Sequence, residues 1–214
     1  MSNVLILGAS GNIAQHVIHF LDQQQHHKLK LFVRHPEKLS NETTRLIVGD
    51  ATNERDMENA LQNIDMVYAN LGPYLMPDMA KAVVSAMDKA AVKRLIWIAT
   101  GGIYDELPKS YRKQAYAELG SPYDKTGYMR DQADGAKIIE SSDLNYTILR
   151  PSMLTDENII SEIIFSGRHE EFAGEAISRK TVAKLIYEFI ERPNQYKRDS
   201  IGIGSVVSSK SANI

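Results

Sequence analysis

The chain has 214 residues, 43% of them hydrophobic and 24% charged, with a formal net charge of -2. That supports one soluble domain with a real core and argues against nucleic-acid binding, which needs a concentrated basic face. It contains no cysteine, which excludes disulfides, thiolate metal sites and cysteine nucleophiles. With no signal-peptide pattern and no apolar run of bilayer length, a cytoplasmic protein without membrane contact is expected.

The unbroken apolar run Val4 to Leu7 predicts a parallel strand covered on both faces, and it leads into Gly8-Ala9-Ser10-Gly11-Asn12-Ile13-Ala14. Gly8 suits a tight turn. Gly11 lets backbone approach a pyrophosphate at a helix N-terminus, where unpaired N–H groups and the dipole favour negative charge. Small Ala14 permits close helix–strand packing. The spacing is Gly-x-x-Gly-x-x-Ala, and its place between a strand and a helix makes Gly8, Ser10, Gly11, Asn12 and Ile13 candidate cofactor ligands.

A helix is predicted from Asn12 to about Gln24, with Ile13, Val17, Ile18, Phe20 and Leu21 on its apolar face. His16 and His19 share a face, and His26 and His27 are adjacent. No carboxylate pattern accompanies them, so no metal site is expected.

Leu29 to Val33 is the second strand, and Arg34 follows it. An acid at that position accepts hydrogen bonds from the ribose of NAD, whereas an arginine pairs with the 2′-phosphate of NADP. Arg34, with Lys38 one turn on and His35 as a weaker third, therefore points to NADP(H); a merely solvated basic loop is the alternative.

Thr44 to Val48 is read as strand three, closed by Gly49-Asp50-Ala51-Thr52. Asp50 either meets the adenine amino group or caps the helix starting near Asn53. Asp65 to Ala69 is strand four, ending in Asn70-Leu71-Gly72-Pro73, where Leu71 and Gly72 would border the cofactor. A helix follows Pro77 to about Ala90, and Arg94 to Ala99 is strand five, ending at Thr100. Gly8, Arg34, Asp50, Gly72 and Thr100 then all fall on the strands' carboxyl edge, where such sheets bind ligands. The predicted fold is a Rossmann-type α/β doubly wound parallel sheet, a single domain over 1–214 with a small substrate-side lobe from its C-terminal part.

An insertion of about 103–126 breaks the alternation and is read as a lid or a long surface excursion, with a short helix from Ser110 to Glu118. Tyr104 and Tyr123 within it can stack on a flat ring. A helix from Tyr128 to Ser141, a strand from Asn145 to Leu149 and the segment Arg150-Pro151-Ser152-Met153 come next. Glu157 to Phe165 is read as a short helix, Ser178 to Glu191 as a longer one and Ile201 to Ile203 as the last strand. The sequons at Asn41 and Asn145 carry no meaning without secretion.

These residues together resemble the atypical short-chain dehydrogenase/reductases with NmrA-like or biliverdin/flavin-reductase-like NAD(P)-binding domains. The likeness rests on Gly8 to Ala14, Val33 to Lys38, Gly49-Asp50-Ala51, Leu71-Gly72, Ile98-Ala99-Thr100 and Asp143 to Pro151. It implies that the first motif holds pyrophosphate, the second the 2′-phosphate, the third adenine, and that Arg150 to Met153, Pro151 and Ser152 included, line the nicotinamide.

Ordinary short-chain dehydrogenases carry a Tyr four residues before a Lys, whose ammonium lowers the phenol's pKa. With Lys137 taken as that lysine, Ala133 stands in the tyrosine's place. The flavin-reductase relatives also lack that tyrosine. Thr100, Tyr123 and Lys137 remain as candidate catalytic residues, although Thr100 can equally cap a turn and Lys137 can equally be a solvated lysine.

Three activities stay open on the sequence. The first is hydride transfer from NADPH to a small planar acceptor, a flavin or quinone, by a monomer or homodimer. The second is a redox-sensing regulator that binds NAD(P) without turnover and docks a protein partner, and the third a sugar-nucleotide or carbonyl enzyme using Tyr123 or Tyr128 in place of the usual acid.

Overall fold

A computed structural model describes residues 1–39 and 44–206; the Asn41 sequon and the chain after Val206 lie outside the described residues. The elements run β1 (Ser2–Leu7), α1 (Asn12–Gln24), β2 (His27–Val33), a single 3-10 turn (Pro36–Leu39), β3 (Leu46–Val48), α2 (Glu54–Ala60), β4 (Met66–Ala69), α3 (Met76–Lys89) and β5 (Arg94–Ile98). They continue with α4 (Lys109–Leu119), α5 (Tyr128–Glu140), β6 (Asn145–Pro151), β7 (Leu154–Thr155), β8 (Ile163–Ser166), β9 (Ile177–Ser178), α6 (Arg179–Glu191) and β10 (Asp199–Ser205).

Eight strands form one sheet in the order β3-β2-β1-β4-β5-β6-β10-β8, parallel throughout except for β8, which pairs antiparallel with β10. The chain leaves β1 toward β2 and β3, then returns to β4 on β1's other side. The carboxyl ends of β1 and β4 therefore diverge around the crevice where doubly wound sheets take ligands.

Alternating strand residues feed two cores. Leu5, Leu7, Val67, Trp97 and Ile148 pack beneath α2, α3 and α5, while Val4, Ile6, Tyr68, Ile96 and Leu149 pack beneath α1 and α6. That two-sided burial is why β1 and β5 read as continuous apolar runs rather than alternating ones.

Beside α5, the flank of the sheet over β6 and β10 is covered by the loop Gly101–Leu107, by α4 and by Phe172. Arg150 on β6 points into this cover and pairs with Glu106; the two side chains are 0% and 3% exposed. Glu106 also accepts the N–H groups of Gly102 (3.0 Å) and Tyr104 (2.8 Å), and Arg150 reaches the carbonyls of Gly167 (3.1 Å) and Ser200 (3.3 Å). The first part of the 103–126 insertion thus covers the sheet flank, with Ile103 and Leu107 buried.

Two expectations change. Residues Glu157 to Phe165 are not helical; the chain is irregular as far as Glu162 and then enters β8. Its isoleucines at 159, 160, 163 and 164 mimic a helical stripe, but the Ser178 hydroxyl donates to the Ile159 carbonyl (2.7 Å), the Ser161 N–H donates to Thr181 (3.0 Å), and β8 pairs with β10. Tertiary hydrogen bonding overrides the local pattern. The cap of α2 is Asn53, whose side chain accepts the N–H groups of Arg55 (3.0 Å) and Asp56 (3.2 Å), and not Asp50.

Candidate functional site

The turn after β1 is a close-packed backbone cradle. Gly8 has φ +69°, and a Cβ there would lie 2.2 Å from the Asn70 carbonyl oxygen; one on Gly11 would lie 2.0 Å from Asn70 Nδ2. The Gly8 N–H donates to the Phe32 carbonyl (3.0 Å) and the Gly11 N–H to the Gly8 carbonyl (2.9 Å). Gly11 caps α1 with no side-chain hydrogen bond, so the leading N–H groups of the helix are offered to an anion. Ser10 is half-buried in the turn, Asn12 is exposed at the helix start and Ile13 is buried beneath it. These residues fit the pyrophosphate of a dinucleotide.

Gly8→Ala adds a methyl group against backbone at a left-handed φ. It is expected to destabilise the protein by about 2 kcal/mol or more and to abolish NADPH-induced stabilisation, both measurable in one thermal-shift series.

At the next strand ends, Arg34 is exposed and its Nε donates to His35 Nε2 (3.2 Å). Lys38 is exposed on the 3-10 turn that follows. Asp50 accepts the N–H (2.9 Å) and the hydroxyl (2.8 Å) of Thr52. Those two bonds, with the charge of Arg34 adding to them, hold its carboxyl below the usual carboxylate range. Ala51 is buried behind it. The arrangement places a cation and a fixed acceptor at the edge formed by β2 and β3.

At the far end, Leu71 is half-buried and Gly72 has φ +127°. The loop they start is held by α5: Gln132 Nε2 donates to the Pro73 carbonyl (3.0 Å) and Asp131 accepts the Met76 N–H (2.9 Å). Tyr128 is the first residue of α5, and its phenol lies beside the Thr100 hydroxyl at the end of β5. Burial pushes the Tyr128 pKa up, and the Thr100 hydroxyl opposes that only in part. The Tyr74 ring meets Tyr128 edge-on, with centroids 6.3 Å apart.

Other expected residues lie elsewhere. Lys137 is exposed on the last turn of α5, nine residues and about 13 Å along the helix from Tyr128. The residue four after Tyr128 is Gln132, and the residue four before Lys137 is Ala133. Tyr123 is 73% exposed on the loop before α5. Tyr104 turns away under the sheet flank, where its hydroxyl meets Glu140 and Ser200.

Of the nicotinamide segment, Pro151 ends β6 in a buried position, and the Ser152 hydroxyl donates to the Glu175 carbonyl (2.6 Å). The Arg150 side chain is committed to Glu106 and does not face the edge. Asn70, Gln132 and Glu106 escaped the sequence reading; only Asn70, inside a strand-end motif already noted, left a local signal. Among the described residues no group of three or more His, Asp or Glu is placed to hold a metal ion, and no helix is long and apolar enough to cross a membrane.

The strand order, the glycine cradle and the row of polar groups along one edge define a Rossmann-type dinucleotide-binding protein. A family model described as NAD(P)H-binding matches residues 8–193, and the chain belongs to that family. A Rossmann-fold NAD(P)-binding family protein from Shigella flexneri superposes with a TM-score of 0.80 at 36% identity, covering 96% of this chain and 94% of that one. A short-chain dehydrogenase/reductase from Veillonella parvula DSM 2008, solved in complex with NADP, superposes with a TM-score of 0.82 at 25% identity, covering 95% and 94%. ChuY, described as an anaerobillin reductase from Escherichia coli O157:H7, shares the fold at 18% identity with a TM-score of 0.77, covering 97% and 99%. Protein YmjC of Escherichia coli K12 is 56% identical over 39 residues, which span 18% of this chain and 65% of that protein.

Proposed function

We propose that the protein is an NADPH-dependent reductase that passes hydride to a planar conjugated acceptor, a flavin, a quinone or a similar ring system. The observation that carries this is the pairing of Thr100 with Tyr128 at the ligand edge with an uncharged glutamine, not a lysine, one turn further along the helix. NADPH, when bound, supplies the hydride.

Gly8, Ser10, Gly11, Asn12 and Ile13 would hold its pyrophosphate, Arg34 and Lys38 its 2′-phosphate, and Asp50 with Ala51 its adenine. Leu71, Gly72, Pro151 and Ser152 would border the half that carries the nicotinamide. Without an ammonium to ease proton loss from the phenol, the chain offers little acid power to an alkoxide. A conjugated acceptor spreads the incoming charge itself, so orientation carries most of the rate. The exposed apolar side chains of Tyr74, Leu75, Tyr123 and Met153 on the loops after β4, before α5 and after β6 suit a flat hydrophobic ring. The NADP held by the Veillonella relative supports the choice of cofactor.

The test is NADPH oxidation against a panel of flavins and quinones, beside thermal unfolding with and without NADPH. Saturating NADPH at a hundred times its Kd should add about 2.7 kcal/mol, a rise in melting temperature of roughly 5–10 °C. At least one planar acceptor should be reduced, and Gly11→Asp should remove both effects. Stabilisation by NADPH with no acceptor reduced would instead mark a sensor without turnover.

A further inference from the structure

We infer that Tyr128 serves the acceptor as an uncharged hydrogen-bond donor, and that Gln132, one helical turn on, makes the site selective for conjugated acceptors over simple carbonyls. The inference rests on the reductase reading above and deepens it by naming the group that meets the acceptor.

The geometry around Tyr128 supplies polarity without positive charge. Thr100 approaches from the end of β5 and Tyr74 from the loop after β4. On α5 itself, Asp131 is tied to the Met76 N–H and Arg130 is paired with Asp134 (2.6 Å). On the preceding loop, Asp124 accepts the Ser121 N–H (2.7 Å), and Lys125 is exposed. On α3, Asp78 and Lys81 pair with each other at 3.8 Å.

Gln132 is 4% exposed, and its amide nitrogen is used on the Pro73 carbonyl. It therefore fixes the loop that carries Tyr74 and leaves no cation under the phenol. Burial then keeps the Tyr128 proton in place, in line with the raised pKa of that group.

The chemical consequence follows from where the proton must go. Hydride transfer breaks a C–H bond on the nicotinamide ring, oxidises NADPH to NADP⁺ and forms a C–H bond on the acceptor, which gains two electrons. With a quinone or flavin, the negative charge settles on a conjugated oxygen or ring nitrogen; the Tyr128 O–H can donate a hydrogen bond to that atom and keep its proton, while water protonates the product later. With a simple ketone, the charge is a localised alkoxide that needs a proton during transfer, and a phenol with no ammonium beside it is a poor source. Gln132 is thus a positioning residue whose lack of charge sets specificity.

Two measurements test this. On the protein without cofactor, the ultraviolet titration difference between the native chain and Tyr128→Phe reports the ionisation of Tyr128. It should lie above the range of an ordinary tyrosine and fall in Gln132→Lys. In turnover, a naphthoquinone and FMN are compared with an unconjugated cyclic ketone.

Quinone reduction should be flat between about pH 6 and about pH 9, ketone reduction should stay at background, and Tyr128→Phe should lower kcat for the quinone roughly tenfold with KM for NADPH unchanged. Gln132→Lys should gain ketone reduction; if that variant does not fold, the Tyr128→Phe kinetics and titration decide alone. Tyr128 ionising at or below the ordinary tyrosine range, or brisk ketone reduction by the native chain, would overturn this inference and leave the reductase reading intact. Failure of every acceptor, while NADPH still raises the melting temperature, would overturn the reductase reading and the donor role with it.

Discussion

Glu106→Ala is expected to destabilise the protein by about 3–5 kcal/mol, the cost of leaving one partner of a buried ion pair without its counter-charge. Arg150 is fully buried, and its remaining partners are carbonyl oxygens, which solvate a guanidinium but do not neutralise it. The substitution also strands the N–H groups of Gly102 and Tyr104, both of which donate to the Glu106 carboxylate. For a chain of this length the melting temperature should drop on the order of 10 °C, and the urea midpoint should fall with it.

Glu106→Gln keeps the shape and one acceptor and should fall between the native chain and the alanine variant. A cycle completed with Arg150→Met should show the two losses to be non-additive by about 0.5–3 kcal/mol, because the second substitution removes the charge that the first abandoned. A melting temperature within about 1 °C of native for Glu106→Ala would contradict this account. The turn Thr100–Gly102 hangs on the same carboxylate, so variants that survive should also bind cofactor less tightly.

This ion pair shows where local reading of the chain ends. Glu106 and Arg150 stand 44 residues apart, and neither periodicity nor composition reports a buried charge pair formed by a loop folded onto a strand. The layout of the sheet was legible for the opposite reason. Runs such as Val4–Leu7 are apolar because both faces are covered, and the glycines and polar residues after them sit at strand ends, where spacing alone puts them on one edge.

The phase of α5 was not legible in the same way. Lys137 looked like the anchor because a lysine is the conspicuous member of the usual pair, yet rotation of a helix is set by what it buries. Met129, Gln132, Ala136 and Ile139 turn inward, and that brings Tyr128 to Thr100. Asp50 suits a cap by residue type, but its carboxylate is taken by Thr52, and Asn53 accepts the first N–H groups of α2 instead. Where a residue's role depends on a neighbour from another element, the spacing of its own segment does not report it.

Arg34→Asp is expected to raise the Kd for NADPH roughly 10- to 100-fold and to move preference toward NADH, because a charge-assisted bond to the 2′-phosphate is worth about 1.5–3 kcal/mol and the new carboxylate repels that phosphate. Arg34 stands directly after β2, exposed, with its charge already felt by Asp50 across the edge. The new aspartate should accept hydrogen bonds from the ribose hydroxyls of NADH at the same place.

Lys38→Ala should cost only a few-fold, since an exposed ammonium on a flexible stem contributes a screened charge. The two effects differ in salt dependence as well: NADPH affinity of the native chain should weaken with ionic strength more steeply than that of Arg34→Asp, because one favourable phosphate contact has been removed. Calorimetric titration of both variants with both cofactors reads all of this at once. Unchanged discrimination in Arg34→Asp would move the 2′-phosphate away from this strand end, and the assignment of NADPH would go with it.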